Sequence, residues 1–414
     1  MDILVAVHLC IIVTIARQVY RRQAVLKEVF WPALLVKLTS GVCLGLVYTY
    51  YYPVADTFIY YDDASQLVSL ARQNFASYAE FLVSSGLPRS LQLTLHDPRA
   101  LFLTKITSIV ALLTGGNYWT INLYFSFISF LASWFLVRTL CHYFPGARNA
   151  AVVAFLFLPS AVFWTSGLLK ESLAIAGLFY LCVIVLKLWF SGKVRWHHLV
   201  LGLLSLWFLW KLKYFYAGIF LPVAIASLAC RAIIQRKYTM SAGMELAVWL
   251  LILIIPLAAV SFMHPNFQFN RLLHVIVMNN AAYVRQSNPG DFVQFYNLTA
   301  TLPGLLVNAP WALFSGLFRP LFWEATSLTQ VIAGVENIFL LLFFAGSLRG
   351  ARSYRKEPHR LLILGLIVYV VLLSVFITLS APNFGTLSRY RVGYISFFTF
   401  LILCNNPLTK YVER

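Results

Sequence analysis

The chain has 414 residues, of which 60% are hydrophobic and only 11% charged, and it carries a formal net charge of +18. Soluble domains hold about 25% charged residues, so the composition excludes a water-soluble fold and describes an integral membrane protein. The basic excess does not point to nucleic acid, because Lys and Arg fall in short clusters between apolar segments. The positive-inside rule produces that distribution, and anionic lipid headgroups accommodate it.

The expected fold is all-α and polytopic, with about eleven spans of the 17–25 apolar residues that cross a bilayer core. Residues 3–16 and 30–52 read as the first two spans. The first lacks a small-residue cleavage site and reads as a retained anchor. Arg17, Arg21, Arg22 and Lys27 lie between them and set that loop on the cytoplasmic side, with the N-terminus outside. Residues 53–117 form an amphipathic outer loop containing Glu80, Pro88, Arg89, His96, Asp97, Pro98, Arg99 and Lys105, expected as helices lying along the membrane surface.

Spans then follow at 118–140, 149–166, 172–190, 198–212, 214–230 and 245–262. A second outer region, 263–323, opens with a loop of about forty residues and ends in an apolar, Pro-broken stretch read as re-entrant. The last spans are 328–347, 361–381 and 389–404. The strongest basic cluster (Arg349, Arg352, Arg355, Lys356, Arg360) is inside, as are Lys410 and Arg414. The whole chain, 1–414, reads as one integral membrane domain. Six cysteines, Cys10, Cys43, Cys141, Cys182, Cys230 and Cys404, occur singly, suggest no disulfide framework and read as buried small hydrophobes.

Three of the fourteen acidic residues, Asp56, Asp62 and Asp63, fall in one short stretch after the second span. On a helix Asp56, Tyr60 and Asp63 share a face, with Asp62 turned about 100° away. One reading is a helix cap and solvated loop; the other is a catalytic or ion-binding carboxylate at the outer membrane rim. A second outer turn, Pro159 to Ser172, carries Lys170 and Glu171, which either pair with each other or face the Asp56 region and a phosphate. Arg319 and Glu324 form a charged pair inside an aromatic, Pro-interrupted segment, with Arg319 a candidate phosphate ligand and Glu324, like Tyr60, a further polar candidate for the site. Glu336 lies within a span and needs a partner, for which a bond to a neighbouring helix serves. Arg389 and Arg391 open the last span and offer forks suited to phosphate, or snorkel at the headgroups. Lys211 and Lys213 sit on the outer side against the positive-inside trend, which suggests an anionic ligand or headgroup.

Asp56-Thr57-Phe58-Ile59-Tyr60-Tyr61-Asp62-Asp63-Ala64, the turn from Pro159 to Glu171, and Asp97-Pro98 followed by 101–116 together resemble the GT-C superfamily of polyprenyl-phosphate-dependent glycosyltransferases. The resemblance covers residues 30–230; 231–414 would be variable C-terminal spans. It departs from the family in an extra first span and in the lack of a soluble C-terminal domain. It implies a periplasm-facing site in a bacterial cytoplasmic membrane and a sugar taken from a polyprenyl-phosphate donor with inversion. The acceptor would be a glycan, lipid or protein. The resemblance also implies an Asp general base on Asp56, Asp62 or Asp63, with Asp56 favoured as nearest the span. Some relatives use a divalent metal such as Mg or Mn, others none, and Asp62 with Asp63 leaves that open. Two rivals remain. A polysaccharide polymerase or ligase would use His264, Arg271, His274 and Arg285 of the late outer loop, and a lipid or oligosaccharide transporter would need charge in mid-membrane.

Overall fold

The computed structural model describes residues 3–23, 25–51, 56–84, 92–237, 241–348, 359–404 and 406. Expectations placed on Pro88, Arg89, Arg349, Arg352, Arg355, Lys356, Lys410 and Arg414 fall outside these residues. Apart from one isolated backbone bridge between Phe292 and Asn383, the described residues form helices and turns and no strand. Seventeen α-helices occur among them: α1 Ile3–Arg21, α2 Lys27–Tyr50, α3 Asp56–Gln73, α4 Phe75–Val83, α5 Pro98–Leu113, α6 Tyr118–Tyr143, α7 Arg148–Val152, α8 Pro159–Trp164, α9 Lys170–Ser191, α10 Trp196–Lys237, α11 Ala242–Met263, α12 Phe269–Gln286, α13 Leu302–Phe318, α14 Leu328–Leu348, α15 Arg360–Ser380, α16 Phe384–Tyr390 and α17 Ile395–Leu403.

Eight of these helices are long and apolar enough to cross a membrane (α1, α2, α6, α9, α10, α11, α14 and α15), the signature of a multi-pass membrane protein. Three differences separate this number from the eleven read in the sequence. The stretch 149–166 is a string of short pieces, α7, a π-helical turn at Val153–Phe157 and α8. Residues 198–212 and 214–230 fall within the continuous run α10, which is two helical segments on either side of a kink at Lys213 (φ −144, ψ 63), where the sequence reading also divides them. Residues 389–404 hold only the end of α16, a 3-10 turn at Arg391–Gly393 and the nine residues of α17. Hydropathy senses apolar length and not whether the backbone stays helical over that length, so 149–166 and 389–404 read as spans.

The chain divides into two compact units. Unit 1 holds Met1–Thr139, Val162–Val183 and His197–Tyr214; unit 2 holds Leu140–Ala161, Ile184–Trp196 and Phe215–Arg414. In unit 1, α2 and α6 pack through Phe30, whose ring stands edge-on to Phe130 at 5.3 Å and Trp134 at 4.7 Å. The outer segment forms α3, α4 and α5, with α3 packed on both others around Leu67, Ala71, Tyr78, Phe81 and Leu93. Asn74 caps α4 and Asp97 caps α5, each accepting a backbone amide, as polar N-cap residues do.

In unit 2, α12, α13 and α15 share a core of Leu273, Ile276, Leu305, Ala312 and Leu379. The late outer region is therefore not a bare loop, because Arg271, His274 and Arg285 all lie on α12. The Pro-broken stretch ends helically at Phe318 and turns through a 3-10 segment at Phe322–Glu324. All six cysteines are free. Only Cys230 is buried, and Cys10 and Cys43 are exposed, beside Ile11 and Val42 on apolar faces of α1 and α2 left uncovered by the chain. Burial of these two thiols by protein, expected from the sequence, does not hold, because a helix in lipid needs no protein over its apolar face.

Candidate functional site

The acidic helix α3 has the polarity read from its sequence. Asp56 is half-buried in the first turn, where a negative charge meets the positive end of the helix dipole. Tyr60 and Asp63 are buried on the same side, and Asp62 is exposed. The three carboxylates therefore have different environments. Asp63 is fully buried and uses both oxygens on backbone amides, Oδ1 accepting from Thr94 at 2.9 Å and Oδ2 from Leu95 at 3.1 Å. It ties the segment before α5 to α3. Partial burial, and then the adjacent Asp63 carboxylate, push the Asp62 carboxyl above the ordinary carboxylate range.

The turn that leads into α9 is buried in protein. Trp164, Thr165, Ser166, Gly167, Leu168 and Leu169 are all buried, against the middle of α2, whose Lys37 donates to Thr165 Oγ1 and to the Val162 carbonyl at 3.4 Å. Irregular backbone in an apolar interior must find polar partners. The amides of Gly167 and Leu168 find them on α6, at Ser126 Oγ and Asn122 Oδ1, both at 2.8 Å. Gly167 has a positive φ of 74°, and a side chain there would strike Asn122; only glycine meets both demands.

From this buried turn Lys170 and Glu171 emerge as the first residues of α9 and take different partners. Glu171, 0% exposed, pairs with Lys213 at 2.7 Å, and Lys213 is 3% exposed at the break in α10. Lys170 lies 5.5 Å from the centre of the Tyr60 ring and 3.7 Å from Asp97 Oδ2. Asp97 also accepts from Arg99 Nε at 3.3 Å, and the Arg99 guanidinium lies 6.0 Å from the Tyr214 ring. Lys105 on α5 donates to the Ser84 carbonyl at 2.7 Å. Partial burial, and then the Lys211 ammonium, hold Lys105 below the ordinary lysine range.

Unit 1 therefore joins Tyr60, Lys170, Asp97, Arg99 and Tyr214 in one chain of contacts, at the end of the helices where α3, α5 and α9 begin, and the Glu171–Lys213 pair adjoins it through the backbone. Asp56 is one helical turn from Tyr60. Among the described residues no three His, Cys, Asp or Glu side chains come together to hold a metal.

No known family model matches the chain, nor does any curated protein or solved structure.

The other candidates lie in unit 2. Arg319 grips Glu324 through Nε and Nη2 and lies 5.1 Å from the ring centres of both Trp311 and Phe384. Burial opposes ionisation of Glu324, but the Arg319 guanidinium and the Leu321 amide outweigh it and leave the carboxyl below the ordinary glutamate range. Arg391 is fully buried, with Nη2 on Glu336 Oε1 at 3.1 Å and Nη1 on Asn337 Oδ1. Glu336 also accepts from the Ser160 amide at 2.7 Å and its hydroxyl. Arg319 and Arg391, expected as phosphate ligands, are thus held by carboxylates of their own unit. Arg389 is half-buried.

Sequence reasoning missed Asp97 and Arg99 as members of the site. Asp97-Pro98 carries an N-cap signature, and a residue that explains itself as a cap draws no further attention. Only its distance to Lys170 reveals the second contact.

Proposed function

We propose that this protein is a membrane glycosyltransferase that moves a sugar from a polyprenyl-phosphate donor to an acceptor hydroxyl, with inversion at the anomeric carbon. The observation that carries the reading is the contact of Lys170 with both Tyr60 and Asp97. It brings the acidic helix, the start of α9 and the start of α5 to one place at the end of the spans. Carboxylates and cations then stand together where a lipid's polar end would meet water.

In this reading Asp56 is the general base. Asp63 already serves two amides and Asp62 points away from the Tyr60 side of α3, whereas Asp56 is one turn before Tyr60 on that side. Asp56 takes the acceptor hydroxyl proton, the oxygen attacks the anomeric carbon, and the bond from that carbon to the phosphate oxygen breaks. Lys170, with Arg99 on the other side of Asp97, offsets the charge of the departing lipid phosphate. Such preplaced charge acts most strongly where water is scarce. The buried Glu171–Lys213 pair fixes the start of α9 and so the position of Lys170. We place the protein in a bacterial cytoplasmic membrane with this end of unit 1 facing the periplasm.

The test is purified protein in nanodiscs given radiolabelled polyprenyl-phosphate sugars and polyprenyl-diphosphate oligosaccharides. The proposal expects acceptor-dependent release of polyprenyl phosphate from the monophosphate donors. Turnover confined to diphosphate oligosaccharides would assign a polymerase or ligase. Movement of intact lipid-linked sugar across vesicles, with no chemical change, would assign a transporter.

A further inference from the structure

Two carboxylates meet lysines in the unit 1 cluster, in opposite ways. Glu171 is 0% exposed, 2.7 Å from Lys213, and shut in with it. Asp97 is 40% exposed and reaches Lys170 only at 3.7 Å, with Arg99, also 40% exposed, on its other side at 3.3 Å. The first pair is a permanent part of the interior, since separating it would leave a charge uncompensated in an apolar surround. The second is open to water and long, and exposed ion pairs of this kind contribute little stability. Asp97 also has a separate local task, accepting the Ala100 amide at 3.3 Å as the cap of α5, a long contact that does not lock its carboxylate beside Lys170.

We infer that Asp97 is a displaceable counter-ion: its carboxylate fills the place beside Lys170 and Arg99 that the phosphate of an anionic lipid substrate takes when it binds. The inference rests on the reading of the site as a lipid-phosphate site. A phosphate brings more charge and more acceptor oxygens than one carboxylate, so it exchanges favourably for an exposed pair and unfavourably for a buried one. The lysine is backed by the Tyr60 ring and the arginine by the Tyr214 ring, so both cations stay in position while the counter-ion changes. Asp97 acts as a positioning residue that sets substrate affinity and takes no part in bond making.

Asp97→Asn separates the two tasks of this residue, because Asn caps a helix as well as Asp does but carries no charge. The measurement is binding of farnesyl phosphate, a short polyprenyl monophosphate, to the full chain in nanodiscs, with farnesol and inorganic phosphate as controls and a melting curve for each variant. The expected result is that Asp97→Asn binds farnesyl phosphate about tenfold tighter, with farnesol binding and melting unchanged, and that Lys170→Met removes the gain. If Lys170→Met weakens binding but Asp97→Asn leaves it unchanged or weaker, the counter-ion role is wrong and the phosphate site stands. If neither substitution alters binding, both fall. Tighter inorganic phosphate binding in Asp97→Asn, with no change for farnesyl phosphate, would overturn the lipid class of the ligand.

Discussion

Lys213 interrupts α10 and from that break reaches Glu171 Oε1 at 2.7 Å, with both side chains closed to solvent. The pair ties the end of one long helix to the beginning of another, and the two residues that flank it, Lys170 and Tyr214, carry the open contacts of the site.

Removing one partner leaves a buried charge alone. Glu171→Gln or Lys213→Met is expected to cost about 3–5 kcal/mol. The double variant should cost clearly less than the sum of the two, because it removes both charges. Thermal unfolding of the four proteins in one detergent measures the coupling, and strict additivity would show that the pair is not the structural tie described.

Asp62 and Asp63 are adjacent in sequence and opposite in role. Asp63→Asn replaces an acceptor of two amides with a group that can satisfy only one, at about 1–3 kcal/mol. Hydrogen exchange at Thr94 and Leu95 should quicken. Asp62→Asn, at an exposed position, should stay within about 0.5 kcal/mol of the parent. Equal destabilisation by the two substitutions would contradict this division.

This contrast shows what was legible in the sequence. Helix periodicity placed Tyr60 and Asp63 together and turned Asp62 away, because that depends only on spacing within one helix. It did not reveal that Asp63 is a tether, since its partners are backbone amides 31 and 32 residues onward, and every residue but proline carries one. The long apolar helices α1, α2, α6, α9, α11, α14 and α15 were evident from hydropathy. The buried turn at Thr165–Leu169 was not, because apolar residues at membrane depth look alike in a helix or a turn; what satisfies that turn is Asn122 and Ser126 on α6. Glu336 visibly needed a partner, but Ser160 lies 176 residues before it, beyond the reach of any local pattern.

The Arg319–Glu324 pair should make unit 2 sensitive to acid. The folded-state pKa of Glu324 lies below its ordinary value, so its contribution is full above the ordinary glutamate pKa and is lost as pH falls through the lowered folded value. Hydrogen exchange around Phe318–Ala325 should therefore rise on acidification, and Glu324→Gln should abolish that response while raising exchange at neutral pH. An unchanged acid response in Glu324→Gln would place the titrating group elsewhere.

Arg391 serves Glu336 and Asn337 with different nitrogens, a geometry one lysine ammonium does not reproduce. Arg391→Met should cost about 3–5 kcal/mol by leaving Glu336 uncompensated, Arg391→Lys should recover only part of this, and Arg391→Met with Glu336→Gln should recover more. Melting temperatures in a common detergent rank the three; no loss in Arg391→Met would mean that the buried guanidinium is dispensable.

The central claim is that Asp56 removes a proton from the acceptor while the lipid phosphate leaves. Single-turnover transfer from a polyprenyl-phosphate sugar, compared between the parent and Asp56→Asn at matched folded fraction, tests it most directly. Loss of a general base predicts a rate lower by about 10²–10⁴-fold with donor binding retained. Transfer by Asp56→Asn at the parental rate would contradict the account.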